Sequence, residues 1–236
     1  MVSSTAMGVA LFTIPFTVIA LHSLREYLKD KRDPKKKHIF YAFMFLSISF
    51  ILDLIGALML SPDMSPTKGF IVNALLKIFD FINMIGVFWF FVFLTDFADN
   101  LKKYIPLAAA HLLITLSIIL VMPFGVTILE GDDFIKDRAI ITVVAIMFFW
   151  FLYWSIIAYQ FWKISKLIQN KVTARRMQMM SAGAIFAILP YLFTITAAAL
   201  QNFTINFAGE IFALASGILF YAGFIAPGWL RRRLEK

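Results

Sequence analysis

Seven long apolar stretches constrain the fold of this chain more than any other feature of its sequence. A helix needs about 20 apolar residues to cross the roughly 30 Å hydrocarbon core of a bilayer. The stretches that meet this length lie at about 5–24, 39–60, 70–95, 105–127, 139–162, 178–200 and 207–227. Short polar connectors separate them, and no linker is long enough to divide the chain into domains. We therefore predict one all-α domain over residues 1–236, an integral membrane bundle of seven transmembrane helices.

The composition excludes a soluble protein of this size. Hydrophobic residues make up 61% of the chain and charged residues only 15%, whereas about half and about a quarter are usual in soluble domains. The N-terminus lacks the basic segment with which a cleaved signal peptide begins. We expect the first apolar stretch to remain as a membrane helix.

The positive charges indicate how the helices are oriented. Alternate connectors and the tail hold 18 of the 22 Lys and Arg residues, at 25–38, 100–104, 163–176 and 231–236. The other side holds only Lys68, Lys136 and Arg138. Because cytoplasmic loops carry the excess of Lys and Arg, we predict an N-terminus outside, a cytoplasmic C-terminus and a multi-pass protein of the cell membrane.

The same distribution gives the net charge of +8 a membrane explanation. The cations form a cytoplasmic rim that can meet anionic lipid headgroups, so we predict membrane lipids, and not nucleic acid, as the partners of this surface. The segment "DPKKKH" (33–38) leaves open a cytoplasmic signalling partner that docks on the basic face.

Five polar residues lie inside the apolar stretches at similar predicted depths. At 1.5 Å per helical residue, Asp53 and Lys77 lie about 10 Å below the outer boundary, Asp80 about 15 Å and Glu210 about 5 Å. Asn73, Lys77 and Asp80 are spaced four and three apart, which places them on one helical face. We predict that the five residues line a polar pocket in the outer half of the bundle and bind a small molecule or an ion from outside.

A structural interpretation of these residues stays open beside the functional one. Lys77 and Asp80 would form an ion pair within the third helix, and Asp53 would fix the second helix against it. Glu210 would complement the N-terminal dipole of the seventh helix. The functional interpretation is favoured by charge, because three carboxylates face one lysine and ionisable residues inside a membrane usually line a cavity.

Several chemistries are excluded or unsupported by the residue content. The chain has no cysteine, its histidines lack metal-ligand spacing, and it has no hydrolase motif. The seventh helix has no lysine that could bind retinal covalently. We predict no cofactor, no metal site and no enzymatic activity.

The end of the seventh helix, "FYAGFIAPGWLRRR" (220–233), resembles the membrane exit of the seven-helix N-terminal region of bacterial and archaeal sensor histidine kinases. The third-helix exit, "FWFFVFLTDFADNLKKY" (88–104), is also similar to that region. The resemblance implies a receptor-like sensor in which the outer half reads a stimulus and the seventh helix carries the change inward. No kinase domain lies within the 236 residues, so the chain is either the membrane part of a longer protein or acts through a partner.

The same intramembrane carboxylates leave a second class of function open. A small transporter or channel would use them to move protons or a cation. Gradient-driven flux into liposomes would distinguish this class from a sensor.

Overall fold

The computed structural model describes residues 4–61, 64–128, 134–228 and 232. Within these residues seven helices are long and apolar enough to cross a membrane, which confirms the predicted all-α membrane bundle. They are α1 (Ser4–Lys29), α2 (Pro34–Met59), α3 (Pro66–Thr95), α4 (Ile105–Val121), α5 (Ile140–Leu167), α6 (Lys171–Leu200) and α7 (Phe203–Phe224), with a short 3-10 turn, Asp99–Tyr104, before α4.

Side-chain caps begin the helices at the ends of the short connectors. Asp33 accepts a hydrogen bond from the Lys35 amide at 2.9 Å, directly before a proline at the first helical position of α2. Asn170 accepts one from the Thr173 amide at 3.0 Å and begins α6. Because these oxygens satisfy amides that have no partner within the helix, each connector can turn the chain within a few residues.

Six of the helices close into a ring. In order around the ring, α1 packs on α2, α2 on α3, α3 on α5, α5 on α6, α6 on α7 and α7 on α1. The helix α4 lies outside the ring and packs on α3 and α5. The interior of the ring is therefore enclosed by α1, α2, α3, α5, α6 and α7.

A β-hairpin between α4 and α5 departs from the prediction. Strands β1 (Phe124–Ile128) and β2 (Phe134–Arg138) pair antiparallel with Phe124 opposite Arg138. The predicted fourth helix, 105–127, is wrong at its end, because α4 stops at Val121 and the chain then turns through Pro123 into β1. We call the end of the bundle that carries this hairpin the hairpin side and the opposite end, which holds the cation-rich connectors, the basic side.

Aromatic rings fill the interior of the ring toward the basic side. We call Phe43, Phe90, Phe161, Phe220 and Phe224 the aromatic layer. The first four are fully buried, and Phe90 and Phe220 meet at 5.2 Å between ring centroids. Ring contacts at this distance add to the apolar burial. The interior of the basic-side half is thus closed by packed rings.

Candidate ligand-binding cavity

Asp80 on α3 forms an ion pair with Arg138 at the end of β2. The Arg138 guanidinium donates from Nε to Oδ2 at 2.6 Å and from Nη2 to Oδ1 at 2.8 Å. The Asp80 side chain is 1% exposed and the Arg138 side chain 5%. This parallel two-bond geometry is the strong form of an arginine–carboxylate contact. The predicted pairing of Asp80 with Lys77 is therefore wrong.

Asp53 on α2 pairs with a second cation from the same strand. The Lys136 ammonium lies 2.6 Å from Asp53 Oδ1 and 4.0 Å from the centre of the Phe79 ring. Lys136 and Arg138 are two residues apart, so their side chains leave the same face of β2. Cations from one strand therefore pair with two buried carboxylates on two different helices, α2 and α3.

Burial and the neighbouring carboxylate act in opposite directions on Arg138. Removal from water disfavours the charged guanidinium, but the charge and hydrogen bonds of Asp80 outweigh it and hold the pKa of Arg138 above its ordinary value. The Tyr191 hydroxyl on α6 adds a hydrogen bond to Asp80 Oδ1 at 3.2 Å. Arg138 therefore stays charged, and the pair is held by groups on three elements, α3, β2 and α6.

A cavity lies inside the ring between this charged cluster and the aromatic layer. Its volume is about 100 Å³. Residues of α1, α2, α3, β2, α5, α6 and α7 line it, among them Asp53, Lys136, Arg138 and Glu210. Ligand pockets have mainly apolar walls and a few polar groups. The lining of this cavity fits that description.

Glu210 lies in the cavity wall on α7. Its Oε1 accepts a hydrogen bond from Asn206 Nδ2 at 3.2 Å, and its side chain lies against Gly8 of α1, where an added Cβ would overlap the carboxylate. The first turn of α7 contains no acidic residue. Since the helix dipole acts mainly within the first turn, the interpretation of Glu210 as a dipole partner alone is wrong.

Lys77 and Asn73 lie apart from this cluster. The Lys77 ammonium donates to the main-chain carbonyls of Leu120 and Met122 at 2.8 and 2.9 Å. These carbonyls belong to the end of α4, which has no further helical turn to satisfy them. Asn73, one turn before Lys77, is half-buried. The structure brings Asp53, Asp80 and Glu210 around the cavity, with Asp80 behind Arg138, and places Lys77 and Asn73 elsewhere on α3.

The surplus of negative charge is smaller than the sequence indicated. Lys136 and Arg138 neutralise two of the three carboxylates. Sequence reasoning assigned both cations to a surface connector and missed their role. In "FIKDR" (134–138) every second residue, Phe134, Lys136 and Arg138, would lie on the same face if the segment were a strand. This spacing is the sequence signal that could have predicted their shared position.

The deep end of the cavity is lined by residues that the sequence did not single out. Trp150 and Trp154 on α5 form part of this wall, together with Asn83 on α3. The Trp150 indole N–H donates to the Ala187 carbonyl at 2.7 Å. Ala187 directly follows Phe186, the residue whose carbonyl loses its helical partner because Pro190 has no amide hydrogen. The proline therefore coincides with a cross-link between α5 and α6.

No group of three or more His, Cys, Asp or Glu residues that could hold a metal ion lies together within residues 4–61, 64–128, 134–228 and 232. Besides the two cations, the polar groups of the cavity lining are carboxylates, amides, indoles and a buried phenol. No protein-family model matches the chain, and no curated protein matches it at a significant level.

Proposed function

We propose that this chain is a receptor-like membrane sensor that binds a small molecule in the cavity on the hairpin side. The observation that carries the proposal is a cavity inside the ring with a charged cluster at one end and packed aromatic rings at the other. A sensor needs a site that is reached from one side only, and this arrangement supports such a site.

The aromatic layer favours a sensor over a transporter. A route for protons or a cation needs polar groups or water along its whole length. Below the cavity the interior is occupied by Phe43, Phe90, Phe161 and Phe220, each 0% exposed. The buried carboxylates Asp53 and Asp80 lie on the hairpin side of these rings and are paired with cations.

Close packing of α7 offers a way for the cavity to influence the basic side. A Cβ added to Gly217 would lie 2.7 Å from a Pro15 ring carbon of α1, so the backbone of α7 packs directly against the Pro15 side chain. At the other end of α7, Arg176 of α6 donates to the carbonyls of Gly223 and Phe224 at 2.8 and 2.7 Å. A ligand that moves α7 would move this junction with α6.

Four small aromatic probes test the proposal in nanodiscs: benzamide, toluene, benzylamine and benzoate. We expect at least one of them to raise the melting temperature of the wild-type protein. None should raise that of Ala213→Leu, in which a larger side chain on α7 fills part of the cavity. Since the chain has no cysteine, spin labels can be placed at Lys103→Cys and Gly228→Cys, both exposed on the basic side. The distance between the labels should change when the probe binds.

Flux measurements separate the two classes of function. We expect no proton or cation flux into proteoliposomes under a gradient. A reproducible flux that Asp80→Asn abolishes would contradict the sensor and identify a transporter.

A further inference from the structure

Two polar atoms in the deep wall of the cavity have no hydrogen-bond partner among the described residues. They are the carbonyl oxygen Oδ1 of Asn83 and the indole Nε1 of Trp154. Both residues line the cavity, and their exposed fractions are 0% and 1%. A buried donor or acceptor without a partner is unfavourable. One unsatisfied acceptor and one unsatisfied donor therefore share the same wall.

The hydrogen bonds around Asn83 fix which of its amide atoms remains unpaired. The Ser49 hydroxyl donates its only hydrogen to the Leu46 carbonyl at 2.7 Å. Ser49 Oγ must therefore accept from Asn83, and the nitrogen Nδ2, at 3.2 Å, is the atom that can donate. The remaining atom, Oδ1, is an acceptor.

Trp150 provides an internal comparison for Trp154, one helical turn away on α5. Its N–H donates to the Ala187 carbonyl at 2.7 Å, so the scaffold satisfies one indole of the pair. The Trp154 ring is packed against Phe90 and Phe220, at 5.2 and 5.6 Å between centroids. Its position is held by ring packing, and its N–H has no hydrogen-bond partner among the described residues.

The two cations at the other end of the cavity do not require an anionic ligand, and Glu210, the third carboxylate of the wall, accepts a hydrogen bond from Asn206. Lys136 and Arg138 already pair with Asp53 and Asp80. An anion would have to compete with these carboxylates for the cations. Most of the remaining wall is aromatic or aliphatic, including Phe12, Phe16, Phe50 and Phe79, and burying an extra charge against such a surface is unfavourable.

We infer that the cavity takes an uncharged, flat and largely apolar molecule that carries one hydrogen-bond donor, for Asn83, and one acceptor, for Trp154. This inference rests on the proposed receptor function and names the chemical class of its ligand. An aromatic amide or an N-heterocycle with one N–H and one C=O group has this chemistry. Its ring takes the place of water against the apolar wall. Its two polar groups form hydrogen bonds with Asn83 Oδ1 and Trp154 Nε1.

The test compares benzamide with toluene, benzylamine and benzoate by calorimetric binding to the protein in nanodiscs, with empty nanodiscs as blanks. We expect benzamide to bind more tightly than the other three. The variant Trp154→Phe keeps an aromatic ring and removes the N–H, and we expect it to weaken benzamide binding about tenfold, the effect of losing one hydrogen bond. The affinity for toluene, which has no acceptor, should not change.

The matched control is Trp89→Phe, a tryptophan on α3 that packs on His38 and Tyr41 near the basic side and should leave both affinities unchanged. Tighter binding of benzylamine or benzoate, or a benzamide affinity that is equal in the wild type and Trp154→Phe, would overturn the inference and leave the proposed receptor function in place. Failure of all four probes to bind would contradict both.

Discussion

Replacing Arg138 by methionine removes the cation from the most buried ion pair of the charged cluster. The two hydrogen bonds to Asp80 are 2.6 and 2.8 Å long, and the two side chains are 5% and 1% exposed. Removing one partner of such a pair leaves a buried, unpaired charge and costs about 3–5 kcal/mol. The position of Asp80 on a membrane helix favours the upper part of that range, because little water is available to solvate the carboxylate.

The paired variant Asp80→Leu/Arg138→Met separates this penalty from the net worth of the ion pair. With both charges gone, no buried charge is left unpaired, and replacing a buried pair by apolar groups is often close to neutral. We therefore expect the double variant to recover most of the free energy of unfolding that Arg138→Met loses.

The free energy of unfolding can be measured from the SDS-induced transition of the purified protein. The matched control is Lys29→Met, because Lys29 pairs with Glu26 at 2.5 Å but the side chains are 55% and 36% exposed. We expect this control to leave stability nearly unchanged. If Arg138→Met is no more destabilising than Lys29→Met, or if the double variant is less stable than Arg138→Met, the ion pair between β2 and α3 does not stabilise the bundle.

Three further predictions concern the helices around the cavity. Trp150→Phe should lower the free energy of unfolding by about 0.5–1.5 kcal/mol, because it removes a buried hydrogen bond between α5 and α6. Trp154→Phe should change it much less, and equal losses in the same SDS assay would contradict the assignment of the unpaired N–H. Gly217→Val should lower the melting temperature, since a Cβ there would lie 2.7 Å from a proline ring. The control Gly69→Ala, with no atom within 4 Å of the added Cβ, should be neutral or stabilising. The reverse order would refute the close packing of α1 and α7. Lys77→Met should speed amide hydrogen exchange at the last turn of α4, whose carbonyls Lys77 binds, and unchanged exchange there would exclude this capping role.

Apolar length alone was sufficient to predict the seven helices, because each must satisfy its backbone within the membrane. The error at the end of α4 has a local cause. Residues 122–128 are apolar enough to extend a membrane helix, but Pro123 cannot continue the helical hydrogen bonds, and Val126, Thr127 and Ile128 favour a strand. The predicted orientation across the membrane stays a prediction.

The charged cluster was only partly predictable. Depth along the helices correctly placed Asp53 and Asp80 toward the same side of the bundle. Their partners were missed because spacing along one helix reports only neighbours three or four residues away, and Arg138 is 58 residues from Asp80. For the same reason Lys77 was assigned to its helical neighbour, whereas it binds the end of α4.

The resemblance to the membrane region of sensor histidine kinases stays a prediction. The described part of the motif includes the end of α7 at Phe224. The Trp-Leu-Arg residues at 229–231, which contribute to the resemblance, lie outside the described residues.

The most direct test of a cavity that opens to the hairpin side alone is thiol accessibility. A single cysteine at Ala213→Cys, in the cavity wall and on a chain without native cysteines, can be exposed to a small, membrane-impermeant methanethiosulfonate reagent in vesicles of known orientation. We predict modification when the reagent is added to the hairpin side and none when it is added to the basic side. Modification from the basic side, or from neither side, would contradict the account.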